Sequence, residues 1–339
     1  MDSSVAASLM GDAGWDCVGL TLKLFDGGSR CCSLEDVNDA RAVADRLGMP
    51  HYVLNYTERF SRDVIGRFIA GYERGETPNP CIDCNRYIKW KGLLERLGQL
   101  GFDCLASGHY ARTGQSGGRR LLKKGRDLQK DQSYVLYGLS QEELARTRFP
   151  LGDLTKAQVR EIAAGRGFIN AKKDESQDIC FVPDGDYGSF MERYTGRSYP
   201  PGDILGLDGA VLGRHRGQLR YTIGQRRGLG VAGNVPLYVA AKDPAANTLT
   251  LGPGSSLYSR SLTARDLNLI ACDSLEGPLR VAVKTRYLQR EQQATAVQTG
   301  EDSLRVDFDE PQRAVTAGQA VVLYDGDTVI GGGTLATAF

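Results

Sequence analysis

Pro78-Asn79-Pro80-Cys81-Ile82-Asp83-Cys84-Asn85 sets two cysteines in a C-x-x-C spacing at the edge of a helical pattern. Each proline biases the residue before it away from helix, so a fresh turn opens at Cys81. Thiols near a helix start ionise more readily, because N–H groups without intrahelical partners stabilise the thiolate. A third cysteine lies far downstream, in the acidic, turn-prone stretch Ser176-Gln177-Asp178-Ile179-Cys180-Phe181. A fold that brings Cys180 to Cys81 and Cys84 owns a three-thiol site. Such a site suits sulfur chemistry, a metal or cluster, or a disulfide. Taken alone, a C-x-x-C pair equally suits core packing or half of a closed zinc site, which wants four ligands.

Upstream of the cysteines, helical and strand patterns alternate. Ser3 to Gly14 reads as a helix with Val5, Ala6, Leu9 and Met10 on one face, and Cys17 to Phe25 as a buried strand. Ser33 reads as the cap of a helix whose inner face is Leu34, Val37, Ala40, Val43, Ala44 and Leu47. His51 to Tyr56 is a strand, Phe60 to Tyr72 and Tyr87 to Leu97 are helices, and Cys104 to Tyr110 is a strand. This alternation predicts an open, mostly parallel α/β sheet. Ser116-Gly117-Gly118 reads as a hairpin turn, Thr155 as a helix cap, and Asp186 to Tyr194 as a short helix. From about Gly202 onward, short strands recur between turns such as Asp243-Pro244 and Asp325-Gly326, which predicts a small barrel or sandwich.

Composition narrows the class. The chain has 339 residues and a formal charge of +1, so it holds two or three domains and is no polycation. A nucleic-acid surface must come from local basic clusters. Three present themselves: Arg119, Arg120, Lys123, Lys124 and Arg126; Arg214, Arg216, Arg220, Arg226 and Arg227 around Tyr221; and Arg280, Lys284, Arg286 and Tyr287. Any one of them alone also reads as a solvated face. No apolar run reaches the ~20 residues of a membrane helix, and no secretory signal opens the chain. The eight cysteines (17, 31, 32, 81, 84, 104, 180 and 272) are too scattered for a disulfide scaffold, so a cytoplasmic protein with mostly reduced thiols is expected. Cys17, Cys104 and Cys272 read as structural; Cys31-Cys32 carries no assigned role.

Several motifs occur in one order along the chain: Asp2-Ser3-Ser4-Val5-Ala6-Ala7, Thr77 to Asn85, Ala106-Ser-Gly-His-Tyr110, Lys130-Asp-Gln-Ser133, Ile179-Cys-Phe181, Tyr221 to Gly230 and Lys284-Thr-Arg-Tyr287. In this set the chain resembles the bacterial tRNA-specific 2-thiouridylases (the MnmA/TrmU family) nearly end to end. The first motif is similar to the tail of that family's SGGVDSS pyrophosphatase loop. The family's first strand and Ser-Gly-Gly are absent, and Met1 stands where the family carries Val, as in a chain truncated within that loop or started too late. Pyrophosphate release by this chain, beside a version extended upstream, separates the two.

The resemblance implies an adenine nucleotide α-hydrolase-like (PP-loop) domain over 1–183, a central tRNA-binding domain over 184–232, and a C-terminal β-barrel over 233–339. It implies ATP-dependent transfer of sulfur to C2 of uridine 34 at the tRNA wobble position. Asp2, Ser3, Leu22 and Gly108 would meet ATP, with Mg²⁺ near Asp2. Cys180 would carry a persulfide and Cys84 would be the nucleophile that attacks it, leaving a disulfide. In the alternative, Cys81, Cys84 and Cys180 hold a [4Fe–4S] cluster that binds hydrosulfide on an open iron. Asn79, Pro80 and Cys81 would face the target base; Cys81 stands where some members carry Asp. His109, Lys130, Asp131, Gln132, Arg286, Tyr287 and Gln319 would contact tRNA of the Lys, Glu and Gln type. A cysteine desulfurase or sulfur-relay protein would supply sulfur, and no membrane is involved. A non-catalytic paralog that binds tRNA without ATP turnover is the rival reading.

Overall fold

A computed structural model describes residues 1–25, 34–171, 173, 179–231 and 235–339. Cys31, Cys32, Ser33 and the Ser176-Gln177-Asp178 stretch lie outside the described residues. The first helix spans Asp2–Asp12, and Val5 and Ala6 bury it against Val43, Leu151, Val159, Ala163 and Phe168. Strands β1 (Gly19–Lys23) and β2 (His51–Asn55) pair in parallel, with the helix Leu34–Leu47 between them in sequence. β3 (Leu105–Ala106) pairs in parallel with β6 (Thr147–Arg148). The parallel pairing is as expected, but among the described residues it forms two separate two-stranded sheets. β1 is accordingly half-buried along its length rather than enclosed on both faces, and Tyr52 and Val53 of β2 are exposed. The strand expected over Cys104 to Tyr110 shortens to β3, because Ser107, Gly108 and His109 turn toward the first helix.

Two helical runs carry the cysteine loop. One joins Thr57–Phe60, Ser61–Ile65 and Gly66–Glu73; the other joins Pro80–Asp83, Cys84–Gly92 and Leu93–Gln99. The second begins earlier than the periodicity from Tyr87 suggests. Pro80 takes the first helical position, where its missing N–H costs nothing, and the Asn79 side chain accepts from the Cys81 N–H at 3.1 Å. Its two faces feed two cores. Cys84 and Ile88 pack with Phe60, Phe68, Phe181 and Phe190, while Trp90, Leu93, Leu94 and Leu97 pack with Leu122, Tyr134 and Leu136. The buried Trp90 indole N–H donates to Thr147 Oγ1 at 2.8 Å, which satisfies its polar edge.

β4 (Ala111–Ser116) and β5 (Arg119–Lys124) form the expected hairpin around Gly117-Gly118. The helix Lys156–Gly165 starts at the expected Thr155 cap, with Gln158 completing a capping box. The helix Tyr187–Thr195 follows, capped by Asp186. β7 (Gly202–Leu205), β8 (Val211–His215), β9 (Tyr238–Asp243) and β10 (Thr248–Gly252) form one sheet in the order β8-β7-β10-β9. That sheet runs past residue 232, because β10 hydrogen-bonds to β7 in parallel and to β9 antiparallel. The boundary expected at 232/233 therefore falls inside a hydrogen-bonded unit.

β11 (Tyr258–Leu269), β12 (Leu279–Lys284), β13 (Gln292–Gly300), β14 (Ser303–Arg313), β15 (Ala320–Asp325) and β16 (Thr328–Ala338) close into a barrel through the β11–β16 pairing. Alternating residues fill it: Leu262, Val281, Val283, Leu304, Val306, Val321, Leu323 and Leu335. The β4–β5 hairpin, expected to belong to the first domain alone, docks on this barrel where Lys123 pairs with Thr328. Lys124 drives its ammonium onto the Gly326 carbonyl at 2.7 Å and onto Glu291 at 2.5 Å. Among the described residues no helix is long and apolar enough to cross a membrane.

Candidate functional site

The first helix and the turn after β3 meet in a nook. A β-carbon on Gly108 would lie 2.7 Å from Ser3 N and 2.8 Å from Asp2 C, so only glycine lets the two backbones approach. Lys156 closes one wall, with Nζ 2.9 and 2.8 Å from the two carboxylate oxygens of Asp2. The Tyr110 hydroxyl donates to Asp2 Oδ1 at 3.2 Å, and Asn170 donates to Ser4 Oγ at 3.0 Å. Asp2, Ser3 and Gly108 are thus gathered as the sequence suggests, and Leu22 packs against both neighbouring cores. Lys156 was not foreseen; its only signal is its place one residue after the Thr155 cap. It changes the reading of Asp2. Both carboxylate oxygens already bind an ammonium group, so a divalent cation on Asp2 would have to displace Lys156. The residues present do not suit Mg²⁺ at this carboxylate.

The cysteines divide by environment. Cys81 is exposed, Cys84 is buried and Cys180 is half-buried. Cys84 and Cys180 pack into one apolar cluster with Ile88, Phe60, Phe68 and Phe181, although they are 96 residues apart in the chain. Among the described residues no group of three His, Cys, Asp or Glu side chains is placed to hold a metal ion. The cluster alternative finds no support among these residues, where Cys81 is exposed and Cys84 buried. Cys17, Cys104 and Cys272 are half-buried, and burial pushes the thiol of each up. They are poor nucleophiles at neutral pH, in keeping with a structural role.

On the face of the cysteine helix turned toward the barrel lies a cavity of about 340 Å³. Asn79, Ile82 and Asp83 line it on one side, and Tyr137, Arg265 and Ala320 line it on the other. Asp83 is paired with Arg67 at 3.4 Å. Burial pushes its carboxyl up to about 6, because desolvation outweighs the Arg67 charge and hydrogen bond. The unfolded chain therefore gives up this proton first. Below the ordinary value of 3.8 Asp83 does not affect folding; as pH rises toward 6, stability falls, and above 6 the full cost is present. Asp83→Asn is expected to be more stable than the parent at pH 8, by at most about 3 kcal/mol for two pKa units. It should gain nothing at pH 4. Urea unfolding at the two pH values checks this; equal gains at both would contradict it.

The residues expected against tRNA fall into two sets. Arg286 is exposed on the turn after β12, with Tyr287 half-buried beside Tyr134 at 6.1 Å between ring centres. Others are engaged inside the protein. Asp131 accepts from Gly125 N, Ser133 N and Ser133 Oγ, at 3.0, 3.1 and 2.8 Å. Gln132 exchanges hydrogen bonds with the Tyr110 backbone at 3.0 and 2.9 Å, and Lys130 N bonds to Asp127 O at 3.0 Å. His109 lies against Trp90 and Phe149, with Nδ1 2.6 Å from Ser107 Oγ. Burial, aided by the Lys89 charge, holds its pKa well below the usual histidine range, so it meets any ligand uncharged. Gln319 donates to the Thr77 carbonyl. Much of the basic clustering is likewise spent on internal ion pairs: Arg119 with Asp273, Lys123 with Asp327, Arg220 with Asp186 and Glu192, Arg280 with Asp309.

Three family models match the chain in succession. The tRNA methyl transferase HUP domain matches residues 1–184, the tRNA methyl transferase PRC-barrel domain 188–253, and the aminomethyltransferase beta-barrel domain 259–335. The middle match ends one residue after β10. Among curated relatives, the tRNA-specific 2-thiouridylase MnmA of Moorella thermoacetica is 50% identical over 344 residues, covering 99% of this chain and 96% of its own. That of Symbiobacterium thermophilum is 48% identical over 351 residues, covering 100% and 90%. The Pelotomaculum thermopropionicum protein of the same name is 48% identical over 345 residues, covering 99% and 94%. With three family models matched in succession and relatives of 48–50% identity over nearly the whole chain, the chain belongs to the tRNA-specific 2-thiouridylase family.

Proposed function

We propose that this chain replaces the C2 oxygen of uridine 34 in tRNA with sulfur, using ATP. The observation that carries the reading is the packing of Cys84 and Cys180 in one cluster, with Cys84 one helical turn from the exposed Cys81, whose N–H is capped by Asn79. The relatives, each named a tRNA-specific 2-thiouridylase, support the substrate class. The chemistry needs two parts. A uridine carbonyl oxygen is a poor leaving group, so it first attacks the α-phosphorus of ATP; pyrophosphate leaves and C2 carries an O-linked AMP. The nook of Asp2, Ser3 and Gly108 suits the nucleotide, because backbone N–H groups at a helix start meet phosphate oxygens.

Sulfur then arrives from the thiol pair. Cys180 holds the persulfide delivered by a cysteine desulfurase or a sulfur-relay protein. The Cys84 thiolate attacks Cys180 Sγ. A Cys84–Cys180 disulfide forms, the persulfide S–S bond breaks, and its electron pair leaves on hydrosulfide. Hydrosulfide adds to C2 and AMP departs. An external thiol reduces the disulfide before the next turnover. The aromatic wall of Phe60, Phe68 and Phe181 keeps water from the thiols. Pyrophosphate release tests the first half. It should require tRNA bearing uridine at position 34 and fall to background with cytidine there. Equal release with both would overturn the reading.

A further inference from the structure

We infer that the turn Thr316-Ala317-Gly318-Gln319, at the start of β15, is a positioning element that sets the cysteine helix from the barrel side. Both backbone polar groups of Thr77 are satisfied by this turn. Thr77 N donates to Ala317 O at 2.8 Å, and Gln319 Nε2 donates to Thr77 O. Gly318 has a φ of +86°, and a β-carbon there would lie 2.8 Å from Glu76 Cβ and 3.0 Å from Thr77 N. The barrel backbone thus lies directly on the loop. One residue earlier, the Glu76 carboxylate joins Arg74 at 2.8 Å to Arg265 of β11 at 2.9 Å. Burial alone would raise the Glu76 pKa, but the hydrogen bonds from Arg74 and Arg265 win and hold it below the usual carboxylate range.

The turn is itself pinned to the last strand. Gly318 N donates to Leu335 O at 2.9 Å and Leu335 N to Gln319 O at 2.8 Å. From Thr77 the chain passes through Pro78, Asn79 and Pro80 to Cys81. Two fixed proline φ angles and the Asn79 cap leave it little freedom. A shift of Thr77 is therefore passed to Cys81 and Cys84. This gives Gln319 a role at the cysteine loop beside the tRNA contact that the resemblance implies, and it rests on the sulfur-transfer reading of Cys84.

Gln319→Glu keeps the shape and replaces the donor with an acceptor facing a carbonyl. Gln319→Lys restores a donor. For Gln319→Glu we expect single-turnover thiolation to slow by about 10-fold or more, with KM for tRNA changed less than about twofold. The rate of Cys84 alkylation by iodoacetamide in the free protein should change as well. Gln319→Lys should recover both the rate and the alkylation. A KM effect with unchanged turnover, or a Gln319→Glu protein that matches the parent in both readouts, would overturn the inference. Because alkylation is read without tRNA or ATP, it reports on loop position even if the sulfur-transfer reading fails. Arg265→Met, which cuts the tie of Glu76 to the barrel while Arg74 still holds it, is the second variant and should shift alkylation in the same direction; no shift in either variant refutes the inference.

Discussion

Cys84→Ser is expected to abolish tRNA thiolation, by at least about 1,000-fold, and to leave tRNA affinity within about twofold; Cys180→Ser should do the same. A serine hydroxyl does not ionise near neutral pH and cannot store sulfur as a persulfide, so either substitution stops the sulfur half of the reaction. Cys84→Ser keeps the side-chain size but places a hydroxyl in a buried apolar cluster, so stability should fall by about 1–3 kcal/mol without loss of the fold. Neither change touches the Asp2, Ser3 and Gly108 nook, so pyrophosphate release in the presence of tRNA should persist in both variants. Thiolation is read by separating thiolated from unmodified tRNA on a mercury-containing gel. Full activity in either variant would break the role assignment, and loss of pyrophosphate release would show that the thiols serve the activation step instead.

Gly108→Ala is the counterpart for the nucleotide. The added methyl would meet backbone atoms of Ser3 and Asp2 at 2.7 and 2.8 Å, and backbone cannot swing aside as a long side chain can. The first helix must retreat from the turn after β3, or the turn must bend away from Tyr110. Either movement displaces the helix start by a good part of an ångström. A misplacement of that size costs on the order of 100-fold in rate. Pyrophosphate release should fall by about that factor, with tRNA affinity kept. Thermal unfolding should move to lower temperature, as overpacking of about 1–3 kcal/mol demands, while the alkylation rate of Cys84 stays close to the parent's, since the cysteine helix lies in a different core. Unchanged pyrophosphate release would remove Gly108 from the site.

Local features of the structure were legible in the residues. The Thr155 cap with Gln158, the Gly117-Gly118 turn, the Asp186 cap and the alternating barrel strands all follow from rules that act over a few positions. Partners from distant parts of the chain were not legible. No spacing rule ties Lys156 to Asp2, Gln319 to Thr77, or Lys124 to Gly326, because each pair meets only after separate elements have packed. The basic clusters show the same limit. Sequence counts charges without their counter-ions, so Arg119, Lys123, Arg220 and Arg280 looked available for RNA, whereas acidic residues elsewhere in the chain hold them. The boundary at 232 was misplaced for a related reason: β9 and β10 resemble barrel strands in composition, and only their pairing with β7 assigns them to the middle sheet.

Mass spectrometry of nucleosides from unmodified tRNA, incubated with this protein, ATP, a cysteine desulfurase with free cysteine, and a reducing thiol, tests the central claim most directly. The account predicts 2-thiouridine at position 34, dependent on ATP and absent with the Cys84→Ser and Cys180→Ser proteins together in one chain. Sulfur at another position, sulfur without ATP, or tRNA recovered unmodified would contradict it.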